Sequence, residues 1–198
     1  MDEKTALEEL KFIRNIIEET RKSVIYNGKD YIFWGVLVIV GMLSTYIFHV
    51  TRLHFNSIWI WAVLIPVGWF FSIFNRRRMK EKHPATYSGK LIGYVWGGAG
   101  VAMTIIGFVG PMFGTINGMA ITPLACIIMG SAYFVTGKIV ESKWLSNLSF
   151  GWWIGGIVLF YVTTIESFLI MSFLMLFFQT IPGIIIYRKY KQDKAVKP

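Results

Sequence analysis

Charge is what this chain has least of. Asp, Glu, Lys and Arg make up 16% of its 198 residues, against about 25% in an ordinary soluble domain. Acids are scarcest. Of eleven, seven fall in the first 30 residues (Asp2, Glu3, Glu8, Glu9, Glu18, Glu19 and Asp30). Hydrophobic residues reach 55% and the mean hydropathy is +0.54. A soluble fold cannot hide that much apolar surface, because much of any folded surface stays exposed. A bilayer can receive it.

Other absences exclude further classes. The single cysteine, Cys126, lies inside an apolar run. It has no intrachain disulfide partner and no metal-ligand spacing, so it reads as a small buried side chain. The acidic first 30 residues do not form a basic segment followed by a short apolar core, so no cleavable signal peptide is expected. The first apolar run, from about Tyr31, is expected to act as an uncleaved span. There is no phosphate-binding glycine loop with Lys-Ser/Thr, no His-Glu-x-x-His and no Gly-x-Ser-x-Gly. No enzymatic activity, cofactor or metal is expected. The formal charge of +9 would by itself suggest nucleic acid. However, no recognition motif accompanies it, and the basic residues cluster at the ends of apolar runs.

What is there is a series of long apolar segments. A helix needs about 20 apolar residues to cross the hydrocarbon. Six spans are predicted, at residues 31–51, 57–75, 91–111, 117–137, 147–164 and 167–187. The fifth and sixth are separated at Glu166, the one formal charge between residues 147 and 187. The basic residues then partition sharply. Of 20 Lys and Arg, six precede the first span, six lie at 76–90, two are Lys138 and Lys143, and five are in the tail. All fall on one side of a six-span chain, and only Arg52 lies opposite. Basic residues are retained in the cytoplasm, so both termini are expected there. The expected fold is an all-α bundle of six transmembrane helices (29–187). A cytoplasmic amphipathic helix (1–28) precedes it and a basic tail (188–198) follows.

The first segment carries a capping-box pair, Thr5 and Glu8, and an apolar stripe through Ala6, Leu10, Ile13, Ile17 and Val24. Asn27-Gly28 is a plausible helix stop. A repeat is suggested further on. Tyr26-Asn27-Gly28-Lys29 precedes Trp34-Gly35, and Tyr87-Ser88-Gly89-Lys90 precedes Trp96-Gly97. Pro66, Pro123 and Pro182 mark the even spans. This pattern fits three hairpins in one orientation.

Lipid tails are as apolar as Leu, so helices pair through small residues instead. Gly89, Gly93 and Gly97 on the third span and Gly151 and Gly155 on the fifth are spaced for this. They would place those helices inside the bundle or form a self-association face, making a homo-oligomer an expected partner state. Two polar residues are ligand-binding candidates. Glu166 is the one acid near the membrane interior, and Gln179 sits deeper, beside Thr180 and Pro182. Arg76, Arg77, Arg78 and Lys80 are topology determinants that would also contact anionic headgroups. Trp59, Trp61, Trp69, Trp96, Trp152 and Trp153 read as interfacial anchors.

The run Tyr26-Asn27-Gly28-Lys29-Asp30-Tyr31-Ile32-Phe33-Trp34-Gly35, after an acidic amphipathic helix, resembles small six-span proteins of bacterial inner membranes. The resemblance implies that location and no activity. The three-hairpin layout is also similar to the six-span acid-resistance membrane proteins, in architecture alone. Two functions remain open. One is an interaction or regulatory component whose residues 1–27 dock a cytoplasmic protein or lie on the membrane. The other is a substrate-binding or transport subunit, similar in bulk features to the binding components of energy-coupling vitamin transporters. The lack of an intramembrane charge cluster favours the first.

Overall fold

A computed structural model describes residues 28–53, 56–82 and 87–195. The N-terminal segment 1–27, and with it the expected amphipathic helix, lies outside the described residues. Those described form helices and no strands. α1 is Gly28–Val50 and α2 is Ile58–Lys82. α3 runs from Tyr87–Thr104 through a π turn, Ile105–Val109, into Gly110–Met112. α4 is Gly118–Ile139 and α5 is Lys143–Tyr161. α6 has two α-helical parts, Ser167–Met175 and Ile181–Ala195, joined by a π turn, Leu176–Thr180.

Five of these helices are long and apolar enough to cross a membrane: α1, α2, α3, α4 and α6. α5 has 19 residues, but Lys143, Ser146, Asn147 and Ser149 dilute its first half. An outward-facing apolar belt suits a hydrocarbon solvent. Val63, Val67, Phe70 and Phe74 of α2 and Phe173 and Phe177 of α6 are all exposed. Large apolar patches of this kind mark membrane or protein contact.

Local chemistry sets the helix ends. Asn117 caps α4 by accepting from the Met119 amide at 3.1 Å, and Ser142 caps α5 by accepting from the Leu145 amide at 3.3 Å. Between α4 and α5 the chain reverses at Glu141, which takes a left-handed φ of 52°. Gly137 lets the two backbones close at this reversal, because a Cβ there would strike Ser146. Gly28 is the first residue of α1; the helix that Asn27-Gly28 is expected to stop lies outside the described residues. Gly28 lacks a Cβ where α1 crosses α6, since the Cβ position lies 3.0 Å from the Tyr187 nitrogen.

Neighbour relations define the layout. α2 packs on α1, α1 on α6, α6 on α4 and α5, and α4 on both α3 and α5. The order α2–α1–α6–α4–α3 is a ring, left open between α2 and α3. α5 lies behind α4 and α6. The core sits on that closed side, around Tyr133, Trp152, Cys126, Leu159 and Met171.

Prolines divide into two kinds. Pro66 and Pro123 lie within uninterrupted α2 and α4. Pro182 follows a π turn, and Pro111 follows another at the same offset. A proline removes one helical hydrogen bond and its ring pushes on the carbonyl four residues back. A wider turn relieves that clash. The irregular turns therefore fall on the third and sixth helices, not on every second one.

Candidate functional site: an interhelical cavity

The open ring encloses a cavity of about 1050 Å³. This is at the upper end of the roughly 300–1,000 Å³ usual for small-molecule sites. α1, α2, α3, α4 and α6 line it, and no α5 residue does. One end is reached by Asn56 and Ser57 at the start of α2. The other is reached by Arg76 near its end. Ile58 and Arg76 stand roughly 27 Å apart at 1.5 Å per residue. The cavity therefore extends close to the thickness of a hydrocarbon core, about 30 Å.

The α2–α3 side is bridged by side chains in place of backbone packing. Arg76 of α2 reaches over Gly93 of α3, and Trp69 reaches over Gly100. The Trp69 indole also donates to Thr104 Oγ1 at 3.4 Å. Between these rungs sits Gly97, which lines the cavity and has nothing within 4 Å of the place a Cβ would occupy. Across the α1–α2 hairpin, Trp34 Nε1 donates to Ser72 Oγ at 2.8 Å, and Asn75 Nδ2 donates to Asp30 Oδ1 at 2.9 Å.

The two ends differ in charge. Arg76, Arg77 and Lys90 line one end, with Asp30 as the carboxylate beside them. The far end offers the neutral polar groups Thr45, Asn56 and Ser57. The body between is apolar and aromatic. Trp34, Trp61, Trp69 and Trp96 line it, together with five methionines, Met42, Met103, Met129, Met171 and Met175. Methionine is flexible and polarizable, which lets a wall fit ligands of different shape.

An aromatic cluster closes the wall where α1, α3, α4 and α6 meet. Tyr31, Trp96 and Tyr133 contact one another edge to face, with centroids 5.1, 5.3 and 5.6 Å apart. Such pairs add about 0.5–1.5 kcal/mol each beyond burial. Trp96 Nε1 donates to Thr136 Oγ1 at 3.1 Å, and the Tyr133 hydroxyl donates to Gln179 Oε1. Gln179 belongs to the π turn of α6. There Ile181 N–H bonds back five residues to the Leu176 carbonyl, and Thr180 Oγ1 donates to the Met175 carbonyl at 3.1 Å. π turns occur frequently at functional sites. The Tyr31 hydroxyl, by contrast, is buried and makes no well-aligned hydrogen bond among the described residues.

The two candidate ligand residues are separated. Gln179 is in the cavity wall, only 3% exposed. Glu166 is exposed at the turn between α5 and α6, outside the lining and roughly 20 Å along α6 from Gln179. A hydrogen bond from Thr164 is the main cause that holds its carboxyl below the ordinary carboxylate value, with the charge of His49 acting in the same direction. The glycines also divide. Gly151 meets Phe178, and Gly155 meets Leu174, where α5 approaches α6 closely. Gly89, Gly93 and Gly97 line the cavity. Arg76, Arg77 and Arg78 are all exposed; the first two also line the cavity and Arg78 does not. The Lys80 side chain lies outside the described residues. Of the tryptophans read as anchors, Trp59 is exposed and Trp152 is fully buried.

Asp30, Tyr31 and Asn75 were not singled out as site residues by sequence. One signal could have found the first and last. Asp30 and Asn75 are nearly equidistant from the Arg52–Leu53 reversal, so an antiparallel α1–α2 hairpin brings them together. No protein family, curated protein or solved structure matches the chain.

Proposed function

We propose that this is a six-span membrane protein that binds an amphipathic small molecule between its helices, as a binding or transport component. The observation that carries this reading is the 1050 Å³ cavity, polar at both ends and lined by tryptophan and methionine between them. Binding sites typically pair an apolar wall with a few placed polar groups. Gln179 and the Asp30–Asn75 pair are such groups here.

Two lines support the six-span arrangement. α5 runs back along α4 from the tight Glu141 turn, so if α4 crosses the bilayer, α5 returns through it. The basic partition supports an orientation with the Arg76 end of the cavity, and both termini, in the cytoplasm. Single cysteines placed at Ser57 and Gln192, in a Cys126→Ser background, test this. In intact cells an impermeant thiol reagent should label the first and spare the second. Labelling of the second instead would reverse the topology. From the sequence we also propose residence in a bacterial inner membrane and a cytoplasmic partner for residues 1–27.

The test of binding is a thermal-shift screen of purified protein against anionic, cationic and neutral amphiphiles, with tryptophan emission as second readout. A ligand at 100 times its Kd should raise Tm by about 5–10 °C. It should also change emission through the four cavity tryptophans. A flat response across all three panels, from protein shown to be folded, would remove this reading.

A further inference from the structure

The basic end of the cavity, its long apolar body and the gap at Gly97 have one ligand chemistry in common. Resting on the binding function above, we propose that the occupant is an anionic amphiphile of the bilayer. Its phosphate or carboxylate lies at Arg76 and its chain runs along the tryptophan and methionine body. It reaches the cavity sideways between α2 and α3.

Charge complementarity selects the headgroup. Among the described residues, three cations, Arg76, Arg77 and Lys90, line that end against the one carboxylate of Asp30. Asn75 Nδ2 already donates to Asp30 Oδ1 at 2.9 Å. The remaining positive charge faces the cavity, where guanidinium groups bind phosphate and carboxylate strongly.

Geometry selects an amphiphile over a small soluble anion. A free phosphate would use only the basic end and leave the long apolar body empty. A chain would fill that body. Arg76, roughly 27 Å along α2 from Ile58, sits near a hydrocarbon boundary, where lipid headgroups lie. The access route is the open side of the ring. There α2 and α3 meet through Trp69 and Arg76, and nothing occupies the space at Gly97 between them.

The experiment equilibrates the purified full chain with vesicles of equal phosphatidylglycerol and phosphatidylcholine, extracts it in mild detergent, and counts retained lipid by native mass spectrometry. Wild-type protein should retain phosphatidylglycerol in preference to phosphatidylcholine. Arg76→Gln should reduce that preference roughly tenfold, the usual scale for losing hydrogen bonds to a charged group. Arg78→Gln, outside the cavity lining, should leave it unchanged. Gly97→Phe projects a ring into open space, so it should abolish retention while Tm stays near wild type. Equal losses from Arg76→Gln and Arg78→Gln would reveal ordinary surface headgroup contact and overturn the proposal. So would undiminished retention by Gly97→Phe. Phosphatidylcholine retained in preference, and blocked by Gly97→Phe, would overturn the anionic assignment while leaving the binding function standing. A parallel arm adds millimolar inorganic phosphate without lipid. Stabilisation that depends on Arg76 would point to a soluble anion and overturn the amphiphile.

Discussion

α4, α5 and α6 make one half of this bundle, and α2 and α3 make another, on different principles. In the apolar stretches of α4 and α6, 39% and 44% of residues are buried; in α2 and α3 the shares are 6% and 11%. In the first half Gly137 lets the α4 and α5 backbones close at Ser146, and Gly155 and Gly151 receive the Leu174 and Phe178 side chains. The second half keeps its backbones apart and spans the gap with Trp69 and Arg76. Glycine thus has two consequences: Gly93 and Gly100 of α3, like the α5 glycines, admit a side chain, and Gly97 does not. On α5 it removes a side chain so that a neighbour can come in. On α3, at Gly97, it removes a side chain and nothing comes in.

The comparison is most directly broken by removing one large aromatic from each half. Trp152→Ala should destabilise the closed half by about 3–5 kcal/mol, the range for deleting a buried aromatic. Its ring is fully buried and stacks near Tyr133, with centroids 6.3 Å apart. Trp69→Ala in the open half should cost far less stability and should instead weaken ligand binding. Reversible unfolding in mixed micelles measures the first quantity and the thermal-shift screen the second. Equal losses of stability from both would mean that the halves do not differ in packing.

A smaller effect sharpens the boundary between them. Tyr133→Phe removes the hydroxyl that Gln179 accepts from. Hydrogen bonds between membrane helices average about 0.6 kcal/mol, with a maximum near 1.7. A loss in that range is expected in the same unfolding assay. A neutral result would show that Gln179 finds another partner in the cavity. The smallest stability change should come from Gly97→Phe, because its new side chain meets no protein atom within 4 Å of the Cβ position. Replacing a helical glycine also lowers the entropy cost of the helix.

Much of the fold was legible because the bilayer imposes simple rules on sequence. Segment length and hydropathy located helices at each expected span, and a polar first half explains why α5 is less apolar than the rest. Gln179 was legible as a buried amide. The cavity was not. The tryptophans that line it carry the same sequence signature as interfacial anchors, and nothing in residue order separates Trp69, a rung across a gap, from Trp59, which is exposed. The π turns were hidden as well, because Pro66 and Pro123 show that proline alone does not produce one.

Composition and spacing decided that this chain is helical and apolar enough for a membrane. Those properties follow from how many residues hydrocarbon will accept and how far each advances a helix. Which glycines admit a neighbour and which leave a void was decided only when the helices assembled. So was the pairing of Asp30 with Asn75 and the reach of Arg76 over Gly93. Those outcomes depend on which faces of six similar helices meet, and apolar helices in a bilayer carry little sequence pattern to announce their faces.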